Sequence, residues 1–226
     1  MVCYQPGGDG GYTLAEFDWV LSGSSPNFRA ALFDSAIGPL VRSAFEGFNS
    51  TVLAYGQTGS GKTYTMGTAC TPGAPPAGLL PLTMAALFDA AAAAQSAGAS
   101  PRLSVQFVEL YNEAWRDLLC PTSAGIRPGL SADKSTIVLQ NALTVPVESY
   151  DEMAAQLAAG SEQRATAATR MNDHSSRSHA VFTIHLSVES RTPAGGKRTA
   201  VRRRRSRQPA SPPARTGSPA RPECEV

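Results

Sequence analysis

The chain has 226 residues, enough for one domain of ordinary size, and 42% of them are apolar, enough to supply a core. Its net charge of +2 hides a division: residues 191–226 carry ten basic and two acidic side chains, a net of +8, whereas residues 1–190 carry ten basic and sixteen acidic ones, a net of −6. Cys3, Cys70, Cys120 and Cys224 lie scattered without a C-x-x-C pair or clustered histidines, no apolar run approaches the roughly eighteen residues of a membrane span and no secretory leader opens the chain, so a zinc site, a disulfide framework and a membrane partner are not expected and a reduced, cytosolic setting is.

From Phe28 to Phe48, Leu32, Phe33, Ile37, Leu40, Val41, Ala44 and Phe45 recur at helical spacing, with Gly47 as the stop. Ser50 to Tyr55 reads as a strand, and it leads into Gly56-Gln57-Thr58-Gly59-Ser60-Gly61-Lys62-Thr63, which fits G-x-x-x-x-G-K-[ST]. In such a loop, backbone N–H groups freed from side-chain bulk by glycine curl around a polyphosphate, the following helix adds the partial positive charge of its N-terminus, Lys62 reaches the β- and γ-phosphates, and the Thr63 hydroxyl ligates Mg²⁺. A helix is expected to begin near Lys62 and a Pro/Gly loop to span Thr68 to Gly78. Leu79 to Ala97 reads as an alanine-rich helix, Leu103 to Leu110 as a buried strand and Ile137 to Val147 as another strand. A helix over Tyr150 to Ala159 and a strand over Ala180 to Val188 complete the alternation, which argues for an α/β three-layer fold around the phosphate loop. No apolar heptad persists over three or four repeats, so no coiled coil for dimerisation is expected.

Residues 172–179 read Asn-Asp-His-Ser-Ser-Arg-Ser-His, directly before the last strand. Taken alone, serines around one arginine offer hydroxyls for a metal or phosphate and one guanidinium for a carboxylate, and a serine-rich surface turn has the same composition. His174 and His179 have no second ligand at metal spacing and read as structural or polar.

With the phosphate loop on the page, Asn172-x-x-Ser175-Ser176-Arg177-Ser178-His179 resembles switch I of the kinesin motor domain, and Gly56 to Gly67 is similar to the kinesin phosphate loop and its following helix. The resemblance runs from about Tyr12 to Glu189: Phe17-Asp18 matches the family's early strand, Val105 to Glu113 its strand ending Tyr-Asn-Glu, and Gly160, Arg164, Thr166 and Thr169 the helix before switch I. It implies a P-loop NTPase-type α/β/α fold with a central mixed sheet, and ATP with Mg²⁺ as cofactors. It implies that Gly56, Gln57, Thr58, Gly59, Ser60, Gly61, Lys62, Thr63 and Tyr64 bind nucleotide, Tyr64 through its ring against adenine. Thr63 and Ser176 would hold the metal, Ser175 would position water, Asn172 would hold the nucleotide side of the loop, and Arg177 would latch to switch II. The implied activity is ATP hydrolysis driving movement along microtubules, in the cytoplasm and on the cytoskeleton.

Several departures qualify the resemblance. No strand ending Asp-Leu-Ala-Gly follows Ala180 to Val188, and no Arg-x-Arg-Pro segment precedes it, so residues 1–190 read as a partial motor domain, weakly active or inactive by itself. The break near Thr199 to Arg207 is the pattern expected of a frameshift or a retained intron, and it leaves an open sheet edge as an aggregation hazard. Residues 191–226, rich in Arg, Pro and Ser, are expected to be disordered, with nucleic acid bound only through this basic tail. Trp115 stands where a smaller residue is usual, and Leu82 follows Pro81 where the family has arginine. A non-motile nucleotide-binding adaptor, a basic-tail nucleic-acid binder and a general P-loop NTPase are the other functions compatible with these residues.

Overall fold

In the computed structural model the described residues are 2–6, 12–21, 28–68, 78–131, 134, 136–170, 178–191 and 197–199. Asn172, His174, Ser175, Ser176, Arg177 and the basic run 202–207 lie outside them, as does residue 200 onward.

After a two-stranded antiparallel ribbon of β1 (Val2–Pro6) and β2 (Tyr12–Glu16), the first long helix runs unbroken through α1 (Phe28–Leu32), a π-helical turn (Phe33–Ile37) and α2 (Gly38–Phe45). Pro39 explains the widened turn. It lacks the N–H that would bond the carbonyl of Ser35 and its ring crowds that carbonyl, so the ladder shifts by one residue and the Gly38 N–H reaches Phe33 O. The helix stops at Glu46, and Gly47 takes the left-handed conformation (φ 89°).

The central sheet has the order β4-β3-β8-β9, with β7 on the same edge of β3 as β4. Its spine is β3 (Ala99–Tyr111) against β8 (Ser178–Arg191), paired antiparallel over the full length of β3. β4 (Ala114–Asp117) returns along β3 through the two-residue turn Asn112-Glu113, both with positive φ (48° and 61°), as a type I′ hairpin requires. Trp115 therefore lies on a short edge strand. β9 (Lys197–Thr199) pairs with the end of β8, and the hairpin of β5 (Arg127–Leu130) and β6 (Ile137–Gln140) stands apart.

Helices cover one face. Leu103, Val105 and Phe107 of β3 and, opposite them, Leu186, Ile184 and Phe182 of β8 face α4 (Leu79–Ser96) and α5 (Tyr150–Arg170), and Ile184 also meets the cluster of Ile37, Val41, Leu79 and Leu87. On the other face Gln106 donates to Thr144 Oγ1 (2.9 Å) and meets His185 Nε2 (3.2 Å). Thus the described residues build two layers of an α/β fold, and every described ladder is antiparallel.

Four expectations change. Ser50 to Tyr55 forms no strand: no described strand pairs with it, and Leu53 and Tyr55 are 82% and 94% exposed. Phe17-Asp18 follows β2 without regular structure. Ile137 to Val147 is two strands, because Asn141 turns the chain with positive φ (66°) and β7 (Val145–Val147) leaves the hairpin to join β3. The Tyr150 helix runs on to Arg170 through a polar stretch that hides its period. In addition α4, with a mean hydropathy of 1.2 over 18 residues, is long and apolar enough to cross a membrane, contrary to the expectation that no run comes near that size. Alanines raise its hydropathy on all sides, while Leu79, Pro81, Met84, Leu87 and Ala91 are buried among the core clusters and their helix-mates.

Candidate nucleotide-binding site

The loop from Gly56 to Gly61 is shaped by its glycines. Gly59 and Gly61 take left-handed φ of 83° and 87°, strained for any residue with a Cβ, and a Cβ at Gly56 would come within 2.5 Å of Ser60 Oγ. The turn closes through Ser60 N–H to Gln57 O (3.2 Å), and Gln57, Thr58, Gly59 and Ser60 are exposed. Lys62 opens α3 (Lys62–Met66) and folds back over the loop, its Nζ donating to Gly56 O (2.7 Å) and Gln57 O (2.8 Å). An ammonium held on two loop carbonyls lies where a polyphosphate cradled by the same backbone would meet it.

α3 has five residues, so its contribution is its free first-turn amides rather than a long dipole. The first helical bond is Thr65 N–H to Gly61 O (2.9 Å), which leaves the N–H groups of Lys62, Thr63 and Tyr64 ahead of it. Thr63 is exposed and its hydroxyl is a hard oxygen donor of the kind Mg²⁺ takes. The Tyr64 ring, 62% exposed, stacks on Phe28 (centroids 6.1 Å apart, 19° between planes), and Arg29 sets its guanidinium 4.0 Å from the Tyr64 centroid. Composition gave no sign of Arg29. Its position one residue into α1 brings it over a ring 35 positions later.

At the far end, Gly67 caps α3 with φ 70°, and Thr68 O accepts from Ser161 Oγ of α5 (3.2 Å). One turn further along α5, Arg164 Nε donates to Glu109 Oε1 (3.1 Å), and its Nη2 donates to Ser178 Oγ (3.0 Å) and Ser178 O (3.3 Å). Ser178 begins β8 and directly follows Arg177. Lys62 is thus folded onto the carbonyls of Gly56 and Gln57, and Ser178, at the C-terminal edge of the serine cluster, is tied to α5. The sequence marked Glu109 and Arg164 only as matches to a family pattern.

A family model described as the kinesin motor domain matches residues 10–205. The chain is 44% identical over 190 residues to the kinesin-like protein KIN-4A of Oryza sativa subsp. japonica, covering 75% of this chain and 18% of that one. It is 41% identical over 180 residues to kinesin-related protein 8 of Dictyostelium discoideum, covering 78% and 9%. Among solved structures it is similar to a fast kinesin at TM-score 0.72 and 31% identity, covering 83% of this chain and 52% of that one. It is also similar to the motor domain of the kinesin-like protein Kar3 of Saccharomyces cerevisiae, at TM-score 0.62 and 33% identity, covering 76% and 50%. The chain therefore spans less than a fifth of the length of these curated relatives and about half of these solved chains.

Proposed function

The chain belongs to the kinesin motor domain family, and from that premise we propose that Gly56 to Tyr64 bind ATP with Mg²⁺ and that the protein acts as part of a microtubule motor. One observation carries the reading: Lys62 Nζ sits on the Gly56 and Gln57 carbonyls at 2.7 and 2.8 Å, inside a loop whose shape needs glycine. A phosphate at this place exchanges those carbonyls for charged oxygens, a stronger partner for an ammonium.

Of the two hydroxyls proposed for the metal, that of Thr63 is exposed at the start of α3 and is a hard oxygen of the kind Mg²⁺ takes, while Ser176 lies outside the described residues. Thr63 supplies one hydroxyl for the metal and Ser176 a second, and the nucleotide with its metal supplies the scissile phosphoanhydride and charge neutralisation. Loop amides and Lys62 hold and orient the β- and γ-phosphates. Tyr64 offers an exposed ring, already stacked on Phe28, for the base. Asn172 holds the nucleotide side of the switch segment, Ser175 positions water, and Arg177 latches to a carboxylate. Catalysis of this class rests on positioning and charge stabilisation, so removing one positioned group costs on the order of 10³–10⁵ in rate. The partner is the microtubule and the setting the cytoskeleton.

The test is ATP turnover by the intact chain with and without microtubules, beside Lys62→Ala. Turnover that rises with microtubules and vanishes in the variant supports the motor reading. ADP binding without turnover restricts the chain to nucleotide binding, and no binding at all sinks the proposal.

A further inference from the structure

Ser161 and Arg164 are three positions apart on α5 and therefore on one face of it. Each holds the end of a different stretch of the proposed site: Ser161 Oγ bonds Thr68 O, just past the cap of the helix carrying Lys62 and Thr63, and Arg164 bonds Ser178, the first residue of β8. Between them and the sheet there is no slack, since a Cβ at Gly160 would overlap the ring of Phe107. Arg164 is anchored in turn on Glu109 of the central strand, whose side chain has no exposed surface.

We propose that Arg164 is a positioning residue for the nucleotide site, fixing the head of β8 so that α5 links it rigidly to the end of α3. The proposal rests on the nucleotide reading of Gly56 to Thr63. The division of labour within the guanidinium supports it. Nε donates to Glu109 Oε1 of β3 while Nη2 donates to the hydroxyl and carbonyl of Ser178 of β8, so one side chain on α5 holds both strands at the end where the serine cluster enters the sheet. A lysine keeps the charge but not the two directions of the fork.

The experiment uses the intact chain, its Arg164→Lys and Ser178→Ala variants and the double variant, with Lys62→Ala as the nucleotide control. Hydrogen exchange without nucleotide is expected to speed up at the amides of residues 178–182 by about tenfold in Arg164→Lys, the equivalent of one lost charge-assisted hydrogen bond, with little change in urea midpoint. Release of fluorescent ADP in the presence of Mg²⁺ is expected to quicken by about tenfold in each single variant and no further in the double one. Unchanged exchange and release in Arg164→Lys overturn the proposal. So does a fall in urea midpoint with release unchanged, the signature of a merely structural pair. Should Arg164→Lys fail to fold, Ser178→Ala, which removes only a hydroxyl, decides in its place. A wild-type chain that holds no ADP sinks the nucleotide reading and the role of Arg164 in it, while the exchange measurement still decides whether Arg164 fixes the head of β8.

Discussion

Gly160 of α5 lies directly against the Phe107 ring of β3, so closely that a Cβ would occupy the same space as the ring edge. Phe107 is held in turn by an edge-on contact with Phe182 (centroids 5.3 Å, 82° between planes), which leaves the ring little room to move. Alanine at position 160 gains about 1 kcal/mol of helix propensity but forces overpacking that costs about 1–3 kcal/mol. Overpacking wins decisively for a larger residue. Gly160→Val is expected to lower the urea midpoint by the equivalent of at least about 2 kcal/mol, with Gly160→Ala close to neutral or mildly destabilising.

Lys62 makes its two bonds within an exposed loop and lies outside both core clusters. Its replacement should therefore separate binding from stability. Lys62→Ala is expected to weaken fluorescent ADP binding by about 10- to 100-fold, the loss of about 1.5–3 kcal/mol from a charged hydrogen bond. Its urea midpoint should stay within error of the wild type.

Asp117 is a buried carboxylate that gathers three backbone amides: Leu119 N (2.9 Å) and Cys120 N (3.0 Å) on Oδ1, and Leu143 N (2.6 Å) on Oδ2. The last joins the end of β4 to the turn before β7, 26 positions away. Asp117→Ala leaves those donors to fend for themselves and is expected to cost on the order of 3 kcal/mol, read by chemical denaturation. Asp117→Asn, which keeps one acceptor oxygen, should cost less.

Desolvation beside the sheet holds the His185 imidazole below its ordinary pKa, so the folded state resists the proton that the unfolded chain accepts. The contribution is fully present above the unfolded value near 6.5 and is lost as pH falls below it towards the folded value. Between pH 7.5 and 5, wild-type stability should fall more steeply than that of His185→Gln, as followed by urea midpoints. Parallel profiles would remove His185 from the acid response.

Much of this was legible in sequence. The turn from Gly56 to Gly61 is legible because its backbone needs glycine at fixed places, and β3, β8 and α4 because long apolar patterns leave few alternatives. Ser50 to Tyr55 misled for a physical reason. Strand character is a property of a pair, and its composition carries no record of whether a neighbour lies alongside. The tie from Arg164 to Glu109 spans 55 positions, so nothing local announces it. Ser149, by contrast, caps the start of α5 by accepting from Glu152 N (3.2 Å), while Glu152 Oε2 accepts from Glu148 N (2.8 Å), one residue before the cap; Ser-x-x-Glu is a four-residue signal that reading for apolar period alone passes over.

Gly67 and Gly78 meet backbone to backbone, so that a Cβ on Gly78 would overlap Gly67 Cα. The end of α3 and the start of α4 thus touch at one point of backbone, with ten positions of sequence between the two glycines. Because the two ends already meet, added sequence between them is expected to cost little: each doubling of a loop's length costs only about 0.6 kcal/mol of closure entropy. An insertion there would be expected to leave the backbone contact of Gly67 with Gly78, and with it the end of α3 and the start of α4, in place.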